Sequence, residues 1–484
     1  NADRVSEAAM GRAITARNIS HLLWFLGILS AILGLASASA PVLGLTVAAF
    51  AAGAVLQRPE FLLGMYLSAM YVWGLLPAAL YARLSGFFLP LTAALATLSL
   101  ILHYGIKFYR LTPHDVMLLA FSGYVLLGVL WSPAPNYGIF KALSFFLGSV
   151  FLFFLMYWGY REKPQALWRF VRVMVGLGMV AFVLVLIASL NVGGFGPAAR
   201  STRVYYLQNV MGIQYFALSD ALQLAAICAF ALFLRSQHRL KWLWLGAFLA
   251  LGWAALALSQ RAQLLGIISA CVGLLVFRAW LSPEPTSKRQ LRVGDMVVGG
   301  LLLVVLLGIA LLGASKFSIS FMLQDNNILT RLELYREAVQ QFLASPVWGN
   351  GTGGFTMGAF GVDARIFAHN VFLDILAEGG LIGILLWGGV LVAILSRAWK
   401  LGHTHTAASA LGWIGLAVCI SRFVVSLFSA DLSYLNLGPW LALLSVGAWA
   451  PPSSEVFPPE TQASTADAGH APCNAPEEPL LPCQ

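Results

Sequence analysis

Two residue types in this chain can act together chemically: one histidine placed to take up a proton, and several arginines able to hold phosphate. His369, followed by Asn370, stands in the polar stretch 329–383, the longest polar interruption in the sequence. A neutral imidazole can accept a proton from a hydroxyl. Arg331, Arg336 and Arg365 share that stretch, Arg261 ends an apolar run in LSQRAQLLG, and Arg200 and Arg203 follow the turn GGFG. A guanidinium fork matches phosphate oxygens two at a time. Each residue also has a plainer account: a structural or interfacial histidine, arginines snorkelling to the interface, or a solvated helix pairing Arg331 and Arg336 with Glu333 and Glu337.

The glycines Gly349, Gly351, Gly353 and Gly354 permit backbone conformations closed to other residues. They suit either a phosphate cradle built from backbone amides or an ordinary turn. No Gly-Lys-Ser/Thr follows them, so this is not a nucleotide-binding loop. Asp374 and Glu378 follow His369 at helical spacing, and an intramembrane carboxylate is a functional candidate by default. There is no Asp-x-Asp pattern anywhere and no Cys/His ligand spacing, so no metal and no cofactor is expected. Cys228, Cys271 and Cys419 lie in apolar runs and read as packing; Cys473 and Cys483 lie in the tail.

These side chains must be carried by membrane helices. The 484 residues are 59% hydrophobic and only 10% charged, with a mean hydropathy of +0.81. A soluble chain carries about 25% charged residues, so this composition cannot cover a water-facing surface. The expected fold is all-α and polytopic. Apolar runs at 21–36, 41–56, 61–82, 86–103, 116–131, 142–159, 170–190, 211–234, 242–258, 264–281, 296–314, 380–396, 407–428 and 436–450 predict 12–14 transmembrane helices. The expected divisions are an N-terminal segment 1–20, helices with short loops over 21–314, a large loop 315–379, further helices over 380–450 and a disordered tail 451–484. Arg4, Arg12 and Arg17 before the first run read as a retained signal anchor.

With the N-terminus in the cytoplasm, nineteen of the 29 basic residues fall on the inner side, so both ends are expected there. Nine fall outside: Arg83, Lys141, Arg200, Arg203, Arg261, Lys316, Arg331, Arg336 and Arg365. The net charge of +9 is explained by orientation and does not suggest nucleic acid. Within the loop, Thr330 and Glu333 form a capping-box pattern. Leu332, Tyr335, Val339 and Phe342 then recur at helical spacing, predicting an amphipathic surface helix over 331–344 that Pro346 ends. Arg331 would sit in its first turn, against the helix dipole.

The order Arg331, Pro346-x-x-Gly349-x-Gly351-x-x-Gly354-Phe355, His369-Asn370 and then Gly380-x-x-Gly383 resembles the O-antigen ligase and O-antigen polymerase superfamily. Ser259-Gln260-Arg261 is similar to the Ser-x-Arg that ends an earlier span in that family, and Trp131-Ser132 fits as well. The resemblance covers Arg200 to Gly383. It implies an inverting, metal-independent glycosyl transfer at the periplasmic face of the bacterial inner membrane. The implied donor is a glycan on undecaprenyl diphosphate; the acceptor hydroxyl belongs to lipid A core or to another lipid-linked glycan. Carried over by position, His369 is the base. Arg261 and Arg331 bind the donor diphosphate, with Arg200, Arg203, Arg336 and Arg365 as weaker candidates, and Asn370, Gly351, Gly354 and Asp374 support the site. A flippase or transporter of lipid-linked sugar is the competing class. It would need paired repeats with broken midplane helices, and no internal duplication is evident.

Overall fold

A computed structural model describes residues 58–68, 78–194, 199–211, 213–236, 238–258, 260–281, 326–404, 408–429 and 431–449. The expected signal anchor, the runs at 21–36, 41–56 and 296–314, Ser259, Lys316, the tail and the side chain of Arg83 lie outside them. The described residues hold helices and no strand. In order these are α1 (Pro59–Leu67), α2 (Ala78–Tyr104), α3 (Pro113–Gly128), α4 (Pro135–Tyr160, with a π turn at Phe146–Phe151), α5 (Pro164–Val192), α6 (Arg200–Tyr205), α7 (Tyr215–Arg235), α8 (His238–Ala257) and α9 (Arg261–Leu281). Then come α10 (Asn326–Ala344), α11 (Phe355–Phe360), α12 (Val371–Gly402), α13 (Ser409–Ser426), a 3-10 turn (Leu432–Tyr434) and α14 (Gly438–Gly447).

Seven of these helices are long and apolar enough to cross a membrane, at Pro113–Trp131, Pro135–Tyr160, Pro164–Val192, Tyr215–Arg235, Arg239–Ala257, Val371–Gly402 and Ser409–Ser426. Each matches one of the apolar runs, and three shorter apolar helices match three more. The chain is therefore an all-α, multi-pass membrane protein. Local chemistry starts the helices where expected. Pro113, Pro135 and Pro164 each open one, where a missing N–H costs nothing. Thr112 and Asp115 form a reciprocal capping box on α3.

The spans pack through small residues and a few ion pairs. α7 is the most enclosed of the seven long helices, set against α5, α8 and α9. Gly178 of α5 lies directly on Ala225 of α7, the close approach small side chains allow in lipid. Arg397 of α12 pairs with Asp115 of α3 at 2.5 Å, and Arg422 of α13 forms a two-pronged bridge to Asp220 of α7.

The loop between α10 and α12 is seated on a break in α12. At Gly380 the backbone turns to φ 58° and ψ −155°. The main-chain groups freed there bond to the glycine turn: Asn350 N–H donates to Ala377 O, Gly351 N–H to Glu378 O, and Leu381 N–H to Pro346 O, at 2.8–2.9 Å. On its other side the turn meets α3, where Thr352 N–H donates to Gly128 O at 3.1 Å and Thr352 Oγ1 to Val125 O at 2.7 Å. Buried backbone groups must be paired, and here each half of the seat pairs the other.

The loop helix differs from expectation. α10 begins at Asn326, so Thr330 lies inside the helix rather than at its N-terminus, and Arg331 is beyond the first turn, where the dipole argument fades. Its buried face is Leu334, Ala338 and Gln341, packed near Phe355 and Ala377; Leu332, Val339 and Leu343 are exposed. Of the predicted apolar stripe, Leu332 and Val339 are thus exposed and Tyr335 and Phe342 only half-buried, because the small Ala338 lets the neighbouring face approach α11 and α12 more closely.

Gly351 has φ 83°, and a Cβ there would meet Gly128 O at 2.6 Å. Gly361 has φ 68° with open space around it. Gly351→Ala is expected to cost above ~3 kcal/mol and Gly361→Ala about 1 kcal/mol. Thermal midpoints of the two purified variants in detergent check the difference.

Candidate active site

His369 sits at the end of the loop, one residue before the cap of α12. Asn370 caps that helix, its Oδ1 accepting from Phe372 N–H at 3.0 Å and Leu373 N–H at 3.3 Å. His369 itself has φ 56°, a left-handed conformation that is uncommon outside glycine. Such strain persists only where the surroundings impose it. Its ring is half-buried and lies 4.5 Å from the Phe367 ring, centre to centre. The Nδ1 nitrogen is buried and meets no partner, leaving Nε2 as the nitrogen open to a substrate.

Burial lowers the pKa of His369, the charge of Arg331 lowers it further, and Asp431 opposes both. The imidazole is therefore held neutral, as a base requires. Arg331 is the arginine that the structure brings to bear on His369. Arg365 lies nearby, stacked over the Tyr434 ring at 4.5 Å and the Phe140 ring at 4.7 Å, with Nη2 at 3.5 Å from Ser433 Oγ. The Tyr434 ring is 6.5 Å from that of Phe367. It also packs with Ala262 and Val425, which brings the first turn of α9, and so the exposed Arg261, to the same side. Arg336 is exposed on the outer arc of α10.

Arg200 and Arg203 are committed elsewhere. Arg203 is buried and donates to Ala257 O and, at 2.6 Å, to Gly194 O; Arg200 Nε donates to Leu258 O at 3.1 Å. The two arginines close the C-terminal end of α8, where carbonyls lack helical partners. The glycine turn, likewise, is a seat and not a phosphate cradle. The amides of Gly349, Asn350, Gly351, Thr352 and Gly354 all donate to carbonyls. Gly351 and Gly354 shape that seat.

Lys141, Tyr137, Asp363 and Asp431 complete this end of the bundle, and of these only Lys141, as an outer cation, stood out in the sequence. Lys141 of α4, counted among the outer cations, is fully buried and bonds both Asp374 and Glu378, the latter at 2.8 Å. Tyr137 donates to Asp431 Oδ2 at 2.5 Å, while Ser433 N–H and Oγ donate to Asp431 Oδ1. Asp363 accepts the backbone N–H groups of Asn136 and Tyr137 at 2.9 Å each, holding the N-terminus of α4. A lysine just ahead of a long apolar run was the available signal for Lys141; nothing local marks Tyr137, Asp431 or Tyr434.

A histidine held neutral, adjoining arginines and a loop seated between spans lie together at one end of this multi-pass membrane protein. Residues 246–388 match the family model described as O-antigen ligase, which supports the O-antigen ligase superfamily as the family of this chain. The matched stretch holds Arg261, Arg331, Arg336, Arg365, His369, Asn370 and Asp374. No curated protein matches the chain. The match supports a membrane enzyme of the O-antigen ligase or polymerase type.

The lowered pKa of His369 has a direct test. Diethyl pyrocarbonate acylates only neutral imidazole, so modification of His369 should follow a midpoint below the ordinary value of 6.5. Mass spectrometry of the modified peptide across pH 4–8 reads it; a midpoint above 6.5 contradicts the assigned environment.

Proposed function

We propose that the protein is an O-antigen ligase-type glycosyltransferase that moves a glycan from undecaprenyl diphosphate to an acceptor hydroxyl, lipid A core being the expected acceptor. The reaction is inverting and metal-independent, and it takes place at the periplasmic face of the inner membrane with both termini in the cytoplasm. The observation that carries this reading is His369, neutral and strained at the N-terminus of α12, beside Arg331 in the stretch matched by the family.

In this mechanism His369 takes the proton from the acceptor hydroxyl as the oxygen attacks the anomeric carbon. The glycosidic C–O bond breaks on the opposite face, and its electron pair stays on the diphosphate. Arg331 and Arg261 bind the diphosphate and offset the charge it gains, with Arg365 as a further cation, since donors aimed at developing charge lower the barrier most. Arg336 is placed to meet lipid phosphates at the surface. Arg200 and Arg203 act through the fold, by fixing the end of α8 that precedes Arg261. Asn370 and Asp374 hold the backbone on either side of the base.

His369→Ala, inserted at normal levels, is expected to lose glycan transfer by at least ~100-fold; wild-type transfer by that variant would sink the assignment of the base. Arg261→Ala and Arg331→Ala are expected to weaken retention of the lipid-diphosphate donor, measured on the purified variants, and unchanged retention in both would remove the diphosphate site. A strain lacking the gene separates the two activities of the superfamily. Full-length polymer left on the lipid carrier identifies a ligase; lipid A core carrying one repeat identifies a polymerase.

A further inference from the structure

The candidate site rests on a buried ion cluster that the proposed chemistry does not use. Lys141 is 1% exposed, and its ammonium bonds Asp374 and Glu378, which are themselves buried. Moving an ammonium out of water costs several kcal/mol, and a buried pair returns roughly what it costs. A hydrophobic residue would serve stability as well. The cluster also carries one cation for two carboxylates, and Glu378 Oε1 has no partner. Net stability therefore does not account for Lys141; what its bonds hold in place does.

Those bonds lead to the two ends of the loop. Asp374 gives Oδ2 to Lys141 and Oδ1 to the backbone N–H of Ala368 at 3.4 Å, the residue that precedes the strained His369. Glu378 accepts from Lys141 with its side chain and from Gly351 N–H with its carbonyl. Lys141 is anchored in turn, because Asp363 and Asp431 grip the first turn of α4 through Asn136 and Tyr137. One ammonium thus orients the carboxylate that bonds the segment before His369 and a second carboxylate on the residue whose carbonyl takes the N–H of the glycine turn.

From these contacts we infer that Lys141 is a positioning residue for His369, acting through Asp374. The ammonium fixes the Asp374 carboxylate, the carboxylate fixes Ala368, and Ala368 together with the Asn370 cap holds His369 in its left-handed conformation. This inference rests on the reading of His369 as the base.

The test uses the full-length protein in detergent, with lipid-linked glycan extracted from the source cells as donor. Lys141→Met removes the charge and keeps the bulk. Turnover is expected to fall about 100-fold, the cost of a small misplacement of a reacting group, with the donor concentration at half-saturation within about 2-fold of wild type. Hydrogen exchange read by mass spectrometry should quicken at 366–373 and 349–354 while α5 and α7 stay protected. Wild-type turnover by Lys141→Met overturns the inference, and so does faster exchange spread over the whole bundle. Should Lys141→Met fail to insert, Asp374→Asn keeps an oxygen for Ala368 and removes the charge that Lys141 holds. Quickened exchange confined to the His369 segment supports the inference in that variant, and unchanged exchange there overturns it. His369→Ala separates the two readings. If it keeps activity, the base assignment fails, while exchange in the Lys141 variant still decides whether Lys141 holds the segment. If it is inactive and Lys141→Met is normal, only the present inference fails.

Discussion

An ammonium group cut off from water must be surrounded by opposite charge, and that demand organises one end of this bundle. Lys141 draws Asp374 and Glu378 inward from the first turns of α12. Those turns lead straight out of the loop, so the position of the loop is set by where α4 places one side chain. α4 is itself set by carboxylates at its own start, Asp363 from the loop and Asp431 from beyond α13. The loop, α4 and α12 therefore cannot be positioned independently: charge neutrality inside a low-dielectric interior links them.

The same economy of charge divides the arginines. Arg422 is matched by Asp220 and Arg397 by Asp115, each within the spans. Arg200 and Arg203 are absorbed by carbonyls at the end of α8. Arg365 is spread over two aromatic rings, an arrangement that suits a planar guanidinium and keeps its edge available. Arg331 stands close enough to His369 to depress its proton affinity. Arginines that look alike in the sequence thus divide into those that close the fold and those that lie toward His369.

The spans were legible because lipid imposes a length and an apolar composition that few soluble elements share, and each of the seven long helices falls on an apolar run. His369-Asn370 was legible because the pair leads directly into a long apolar run, although the span was expected from 380 and α12 starts at Val371. The inner face of α10 was not. Leu332 and Val339 are exposed while the small Ala338 and the polar Gln341 are buried, and periodicity alone assigns the larger apolar residues to the core. Lys141 with Asp374, and Tyr137 with Asp431, join residues separated by 233 and 294 positions; such pairs leave no trace in local spacing. The fate of the glycine turn was open for a related reason, since the carbonyls that take its amides belong to α12 and α3.

The break at Gly380 carries a consequence for how such a protein can diversify. Loop and helix are joined there almost wholly through main-chain atoms, with Tyr124 adding its hydroxyl to Trp348 O and Gly379 O. That part of the joint is indifferent to side-chain identity, apart from the glycines whose Cβ atoms would collide, while Lys141, Asp374 and Glu378 hold the rest. Exposed positions on the outward surface of the loop can therefore change, and with them whatever the loop touches, while His369 returns to the same place. Variation is confined to the rim, and geometry is inherited through the backbone.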